Sequence, residues 1–165
     1  MDLKFLIDAL DKYVKNPTDG LQEELFLFVS KVTPMVNVDL LIKNDKRETL
    51  LTWRDDNFHG PGWHIPGGII RYKEKIKDRI EAVARIEIGA EIKYNSTPIM
   101  ISEIIQPNKK YRGHFISMLY ECTLNSNLDN NLQCTNEIPR HREWKWHSCC
   151  PKNLIIVHHI YKKYI

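Results

Sequence analysis

Apolar residues recur along the chain with either a helical period or a strict alternation, and the switches between the two mark out the elements. Leu3, Leu6, Ile7, Leu10 and Val14 form one helical stripe; after the breaker Asn16-Pro17-Thr18-Asp19-Gly20, Leu21, Leu25, Phe28 and Val29 form another. Pro34 ends the second stripe, and residues 35–42 alternate, with Val36, Val38, Leu40 and Ile42 on one face and Asn37 and Asp39 on the other. Asn44-Asp45-Lys46-Arg47 predicts a turn into a second strand over 49–54, so these two strands are expected to pair as a hairpin. Residues 55–62, with Gly60, Pro61 and Gly62 close together, suit a flexible surface loop beside a binding site. Helical spacing returns at Ile76, Ile80, Val83, Ala84 and Ile88, predicting a helix over 75–88 with Gly89 as a left-handed cap. Strands are expected over 99–106, 114–124 and 144–146, with Trp144 and Trp146 in the core, and a last helix over 151–164 with Pro151 in its first turn. Strands interspersed with helices predict an α/β fold in which helices sandwich a mixed sheet. Residues 1–32 read as a helical extension packed on a domain spanning 33–165.

The length of 165 residues suits one core, since single cores stop growing beyond about 250 residues. The 24 Lys and Arg are interleaved with 21 Asp and Glu, so no basic stripe for nucleic acid emerges, and the net +3 favours a small anionic ligand only weakly. No apolar run reaches the roughly 20 residues of a membrane span, and Met1-Asp2-Leu3-Lys4 does not open a secretion signal. A cytoplasmic protein with no membrane partner is expected. Cys122, Cys134, Cys149 and Cys150 contain no CxxC pair and read as reduced thiols rather than a zinc site or disulfide framework.

Candidate chemistry concentrates between residues 62 and 89. Trp63-His64-Ile65-Pro66-Gly67-Gly68 is expected to lead from a strand into a loop whose glycines admit close backbone approach, followed by a helix N-terminus able to seat phosphate oxygens. Glu87 continues the row of Ile76, Ile80 and Val83, which places a carboxylate in line with the buried stripe. There it either meets a cation facing the cavity or sits at the stripe's edge paired with an arginine. Asp39 either faces the site or bonds a neighbouring loop amide.

Residues 63–89 resemble the Nudix box: Gly, five residues, Glu, seven residues, Arg-Glu, an aliphatic, any residue, Glu-Glu, any residue, Gly. Gly68, Glu74, Glu87 and Gly89 fall on it, whereas Ala82 and Val83 replace the Arg-Glu pair and Ile86 replaces the first paired glutamate. Ordinary Nudix pyrophosphohydrolases use those carboxylates to hold divalent ions and activate water against phosphorus. The chain is similar to the GDP-mannose mannosyl hydrolase branch, whose box is reduced mainly to its last Glu and which attacks C1 of the sugar instead. The similarity extends through Thr33-Pro34-Met35-Val36-Asn37-Val38-Asp39 and Leu50-Leu51-Thr52-Trp53-Arg54.

This resemblance implies an NDP-hexose substrate, Mg²⁺ held by Gly68 and Glu87, and a homodimer. It implies His141 as general base, since an imidazole can take a water proton at neutral pH, with Asp39 and Arg54 also in the catalytic set. A guanidinium fork suits Arg54 to diphosphate, beside Gly67 and Gly68. Two departures matter. Arg140 stands where that branch has a glutamine ligand, and a cation cannot ligate Mg²⁺. Ile69 and Ala82 stand where it has arginines, so Arg71 or Arg140 is expected to supply positive charge, Arg140 partly replacing the metal. The rival readings are a conventional pyrophosphohydrolase recruiting Glu103, Glu121 or Glu137, and an inert nucleotide-binding domain. His64 and His114 are placed at the cleft without a role, and His158 and His159 on the surface or packed within the last helix.

Overall fold

The computed structural model describes residues 2–165. Its elements run α1 (Leu3–Asp11), α2 (Glu23–Ser30), β1 (Met35–Ile42), β2 (Thr49–Arg54), β3 (Gly62–His64), β4 (Gly67–Ile69), α3 (Ile76–Ile88), β5 (Ile92–Tyr94), β6 (Met100–Ile105), β7 (His114–Leu124) and β8 (Trp144–His147). Single 3-10 turns lie at Pro17–Asp19, Asn130–Leu132 and Ile156–Tyr161.

Strand β1 organises the larger, five-stranded mixed sheet because both its edges are occupied: β4 pairs with it antiparallel and β7 parallel. The long β7 carries β6 and β5 in succession along its other edge. A smaller antiparallel sheet has the order β3-β2-β8. The expected β1–β2 hairpin therefore does not form beyond one bridge, Lys43 to Thr49. With no free edge on β1, β2 diverges into the second sheet and pairs with β3 and β8 instead.

The alternation of β1 separates core from site. Val38, Leu40 and Ile42 pack under the stripe of α3, against Ile80, Val83, Ala84 and Ile88, all essentially buried. Burial of each Val, Leu or Ile among them contributes about 1.5–3 kcal/mol. Leu41 faces a second cluster with Leu51, Trp63, Ile65, Leu119 and Tyr161. Gly89 caps α3 at φ 64, in the left-handed region where a side chain is disfavoured. Trp144 and Trp146, two residues apart and so on one strand face, both pack on the first cluster.

Two helical expectations need correction. The amphipathic α1 buries none of its residues: Leu3 is 69% and Leu10 44% exposed, so the packed part of the extension is α2. The expected helix over 151–164 is reduced to the 3-10 turn Ile156–Tyr161. The preceding residues are held extended along β3, with Trp63 N donating to Asn153 O at 2.9 Å and Ile155 N to Trp63 O at 2.9 Å, so helix cannot start before them.

Candidate active site

The polar face of β1 opens onto a cavity of about 200 Å³. Asn37 and Asp39 of β1, Ser117 of β7, Gly67 and Gly68 of β4, and Arg54 at the end of β2 all stand on its wall. Register explains the meeting: Asn37 lies opposite Ser117, and Asp39 opposite Gly67.

Gly67 and Gly68 form a strand rather than the expected loop, and both are required by close packing. A Cβ on Gly67 would stand 2.2 Å from Asp39 Oδ1, and one on Gly68 2.7 Å from Val83 Cγ2. The N-terminus of α3 is not on the cavity wall. The expected phosphate seat made from that helix end is thus replaced by a strand that lies between the helix and the Asp39 carboxylate.

Asp39 is 1% exposed and is held from three sides. Asn37 Nδ2 donates to its Oδ1 at 2.8 Å, Tyr161 OH donates to Oδ2 at 2.6 Å, and Ser117 Oγ donates to Oδ2. Burial nevertheless dominates and pushes the carboxyl up to about 6, against these donors and the charge of Arg54. His158 Nε2 lies 4.0 Å from Asp39 Oδ1, while its Nδ1 accepts the Ile65 N–H at 3.0 Å. A neutral His158 ring therefore carries its proton on Nε2, on the Asp39 side. Burial and then Arg54 pull this imidazole down to about 3, so it stays uncharged.

Arg54 links the cavity to a second group of candidates. Burial raises the Glu87 carboxyl above its ordinary range, opposed first by Arg54 and then by Arg142 and His141. Glu87, Arg54 and His141, far apart in sequence, thus share one electrostatic neighbourhood. Glu87 is half-buried and does not itself line the cavity. Exposed His141 accepts the Asp55 N–H on Nδ1 at 3.2 Å, which leaves Nε2 protonated in its neutral ring. His141 can accept a water proton only after releasing one of these two hydrogens.

Arg71 and Arg140 lie elsewhere. Arg71 Nη1 donates to Thr18 O at 3.2 Å, tying it to the N-terminal segment, and Arg140 is exposed with its backbone N donating to Glu143 Oε2 at 2.8 Å. Besides Arg54, the arginine acting on Glu87 is Arg142, whose guanidinium bonds Ile86 O. His64 and His114 are also off the wall: His64 Nδ1 donates to Thr52 O at 2.8 Å and His114 pairs with Glu103 at 3.0 Å.

The donor set does not build a self-sufficient metal site. Glu74 is taken up by a two-point ion pair with Arg79, at 2.8 and 2.9 Å, and the charged neighbours of Glu87 are the arginines Arg54 and Arg142. Among the described residues no group of three or more His, Cys, Asp and Glu is placed to hold an ion. The Gly68 carbonyl faces Val38 across the β1–β4 ladder, so Glu87 is the side-chain oxygen left, and an ion held there would draw its other ligands from water and substrate phosphates.

Sequence reasoning did not single out Ser117, Tyr161, Arg112 or Arg142 and left His158 without a role. Ser117 lay in a recognisable strand, and its alternation could have placed it toward Asn37. Arg112 and Arg142 lie in a bend and a turn, where no period applies, and His158 and Tyr161 lie in a segment whose expected α-helical period gives way to a 3-10 turn.

The NUDIX domain family matches residues 33–149. A curated relative, the low-salt glycan biosynthesis protein Agl8 of Haloferax volcanii, is 26% identical over 121 residues, covering 71% of this chain and 74% of that protein. Among solved structures, a MutT NUDIX hydrolase from Burkholderia pseudomallei superposes with TM-score 0.63 at 18% identity, over 81% of this chain and 98% of that one. A UDP-X diphosphatase superposes with TM-score 0.58 at 16% identity, over 98% and 87%. With the family match spanning most of the chain and the mixed α/β architecture agreeing with it, the protein belongs to the Nudix family.

Proposed function

We propose that this Nudix domain hydrolyses a nucleoside diphosphate hexose, with GDP-mannose as the leading candidate, by water attack at C1 of the sugar. The supporting observation is convergence: Asp39, Gly67, Gly68 and Arg54 face one cavity, and Arg54 joins it to Glu87 and His141. Val83 and Ile86 stand in place of two carboxylates that attack on phosphorus uses. The rival ligands do not compensate, since Glu103 pairs with His114, Glu121 with Arg47, Glu137 is exposed, and none of the three lines the cavity. The glycan-biosynthesis role named for the Haloferax relative supports a sugar substrate.

In this reading a water oxygen bonds to C1 as the bond from C1 to the diphosphate oxygen breaks, and that oxygen keeps the electron pair. The water's proton passes to His141 once the ring leaves the Asp55 amide. Arg54 faces the leaving diphosphate, a task suited to its planar fork. Asp39, with both oxygens already bonded, orients the wall rather than taking the proton.

Nudix enzymes generally use divalent ions such as Mg²⁺. No step is assigned to a metal here, because the protein supplies at most one side-chain ligand for it. If arginines carry much of the leaving-group charge, chelation lowers turnover without abolishing it; complete loss restored by Mg²⁺ contradicts that division of labour. A panel of NDP-sugars assayed for free sugar and nucleotide tests the reaction class. Free sugar with NDP supports it, whereas sugar phosphate with NMP, or binding without turnover, rejects it.

A further inference from the structure

Arg112 stands on the cavity wall beside Arg54, in the connection between β6 and β7. Its backbone is in the left-handed region at φ 53, which costs a non-glycine residue about 1–2 kcal/mol and needs tertiary support. The support comes from two sides. Its N–H donates to Ser30 Oγ of α2 at 3.1 Å, and its guanidinium lies 4.9 Å from the Phe58 ring centroid and 5.7 Å from that of Phe26 in α2. Among the described residues no hydrogen bond or ion pair engages this guanidinium, and its Nε is buried without a partner. Two aromatic neighbours strip water from the cation, so it relies on a partner at its N–H edge.

The nearby carboxylates offer Arg112 no partner. Asp56 is the one acid acting on Arg112, and it is already engaged: its Oδ2 binds Arg54 Nε at 2.9 Å, while its Oδ1 accepts from Phe58 N and His59 N. His59, also on the wall, is kept neutral. Two guanidiniums therefore flank one cavity whose nearby carboxylates, Asp39 and Asp56, already have both oxygens bonded. We propose that Arg112 and Arg54 together seat a phosphate oxyanion of the substrate's diphosphate, and that α2 is part of the binding site because Phe26 and Ser30 aim Arg112. The planar fork matches phosphate oxygens, and paired forks favour a multiply charged diphosphate over a singly charged sugar carboxylate. This inference rests on the reading that the cavity receives a diphosphate.

Calorimetric titration of the full chain with inorganic pyrophosphate, using wild type, Arg112→Met, Arg112→Lys and Phe26→Ala, tests it. Arg112→Met is expected to weaken binding roughly 10- to 100-fold, with Lys restoring part of the loss because it keeps charge without the fork, and Phe26→Ala falling between. Unchanged pyrophosphate affinity in a folded Arg112→Met protein overturns the proposal. Protection of wild-type Arg112 from phenylglyoxal by pyrophosphate, read by peptide mass spectrometry, is independent of the variants' folding; protection of Arg54 alone also overturns it. Should no NDP-sugar be hydrolysed while pyrophosphate binding still depends on Arg112, the reaction assignment falls and the seat stands. Turnover with Arg112-independent pyrophosphate binding does the opposite, keeping the reaction and removing the seat.

Discussion

At the scale of single residues, Asp39 ties three strands and the C-terminal turn to one wall of the cavity. Its neighbour Gly67 leaves no room for a side chain, so Gly67→Ala drives a methyl into Oδ1. We expect it to destabilise the fold by about 1–3 kcal/mol in urea denaturation and to reduce ligand binding with it. Asp39 also makes a pH prediction. Its folded value of about 6 lies above the ordinary 3.8, so between them the folded state holds a proton that the unfolded chain has released. Asp39 therefore lowers stability as pH rises through that window, and Asp39→Asn removes its share, about 1.4 kcal/mol per pH unit at most. His141→Ala is expected to cut turnover by about 10²–10⁴ with little change in nucleotide affinity, measured by single-turnover kinetics and titration. An unaltered rate removes His141 from the mechanism. Asp39 was legible from strict alternation along β1, and Glu87 from the row it extends on α3. Arg112 was not, because it occupies a connection without a period and its anchor Ser30 lies 82 residues away.

At the scale of elements, the C-terminal turn completes the site. Spacing of three places His158 and Tyr161 on one side of a 3-10 turn, and both reach toward Asp39. Tyr161→Phe deletes one donor to a buried carboxylate, so a cost of about 1–3 kcal/mol is expected, together with a further rise of the Asp39 pKa. Titration of Asp39 by NMR checks the second effect, and an unmoved midpoint contradicts it. Sequence periodicity located β1, β2, α3 and β7 well because each has a buried face to pattern. It failed on pairing and on short pieces. The β1–β2 hairpin was lost to competition for the edges of β1, and the C-terminal helix to extended pairing with Trp63. Neither competition leaves a trace in local composition.

For the molecule as a whole, buried histidines set the acid limit. His59, His64, His147 and His158 are all pulled below the ordinary 6.5, chiefly by burial, the first and third to about 4 and His158 to about 3. As pH falls below 6.5 the unfolded chain takes up protons that these folded sites refuse, so stability drops with pH, opposing and outweighing the single contribution of Asp39. Thermal denaturation from pH 7 to 4 is expected to show a falling midpoint, and a flat or rising midpoint contradicts the assignment of these rings as neutral. The same burial keeps His158 neutral in the cavity, where the positive charge then comes from Arg54 and Arg112. The proposed departure of a diphosphate from carbon draws on these two guanidiniums, in a cavity whose carboxylate, Asp39, is already bonded on both oxygens. Hydrolysis of GDP-mannose in ¹⁸O-labelled water, with both products analysed by mass spectrometry, addresses that claim directly. Label in the free mannose, with unlabelled GDP, is the predicted result, whereas label in a phosphate group contradicts the account.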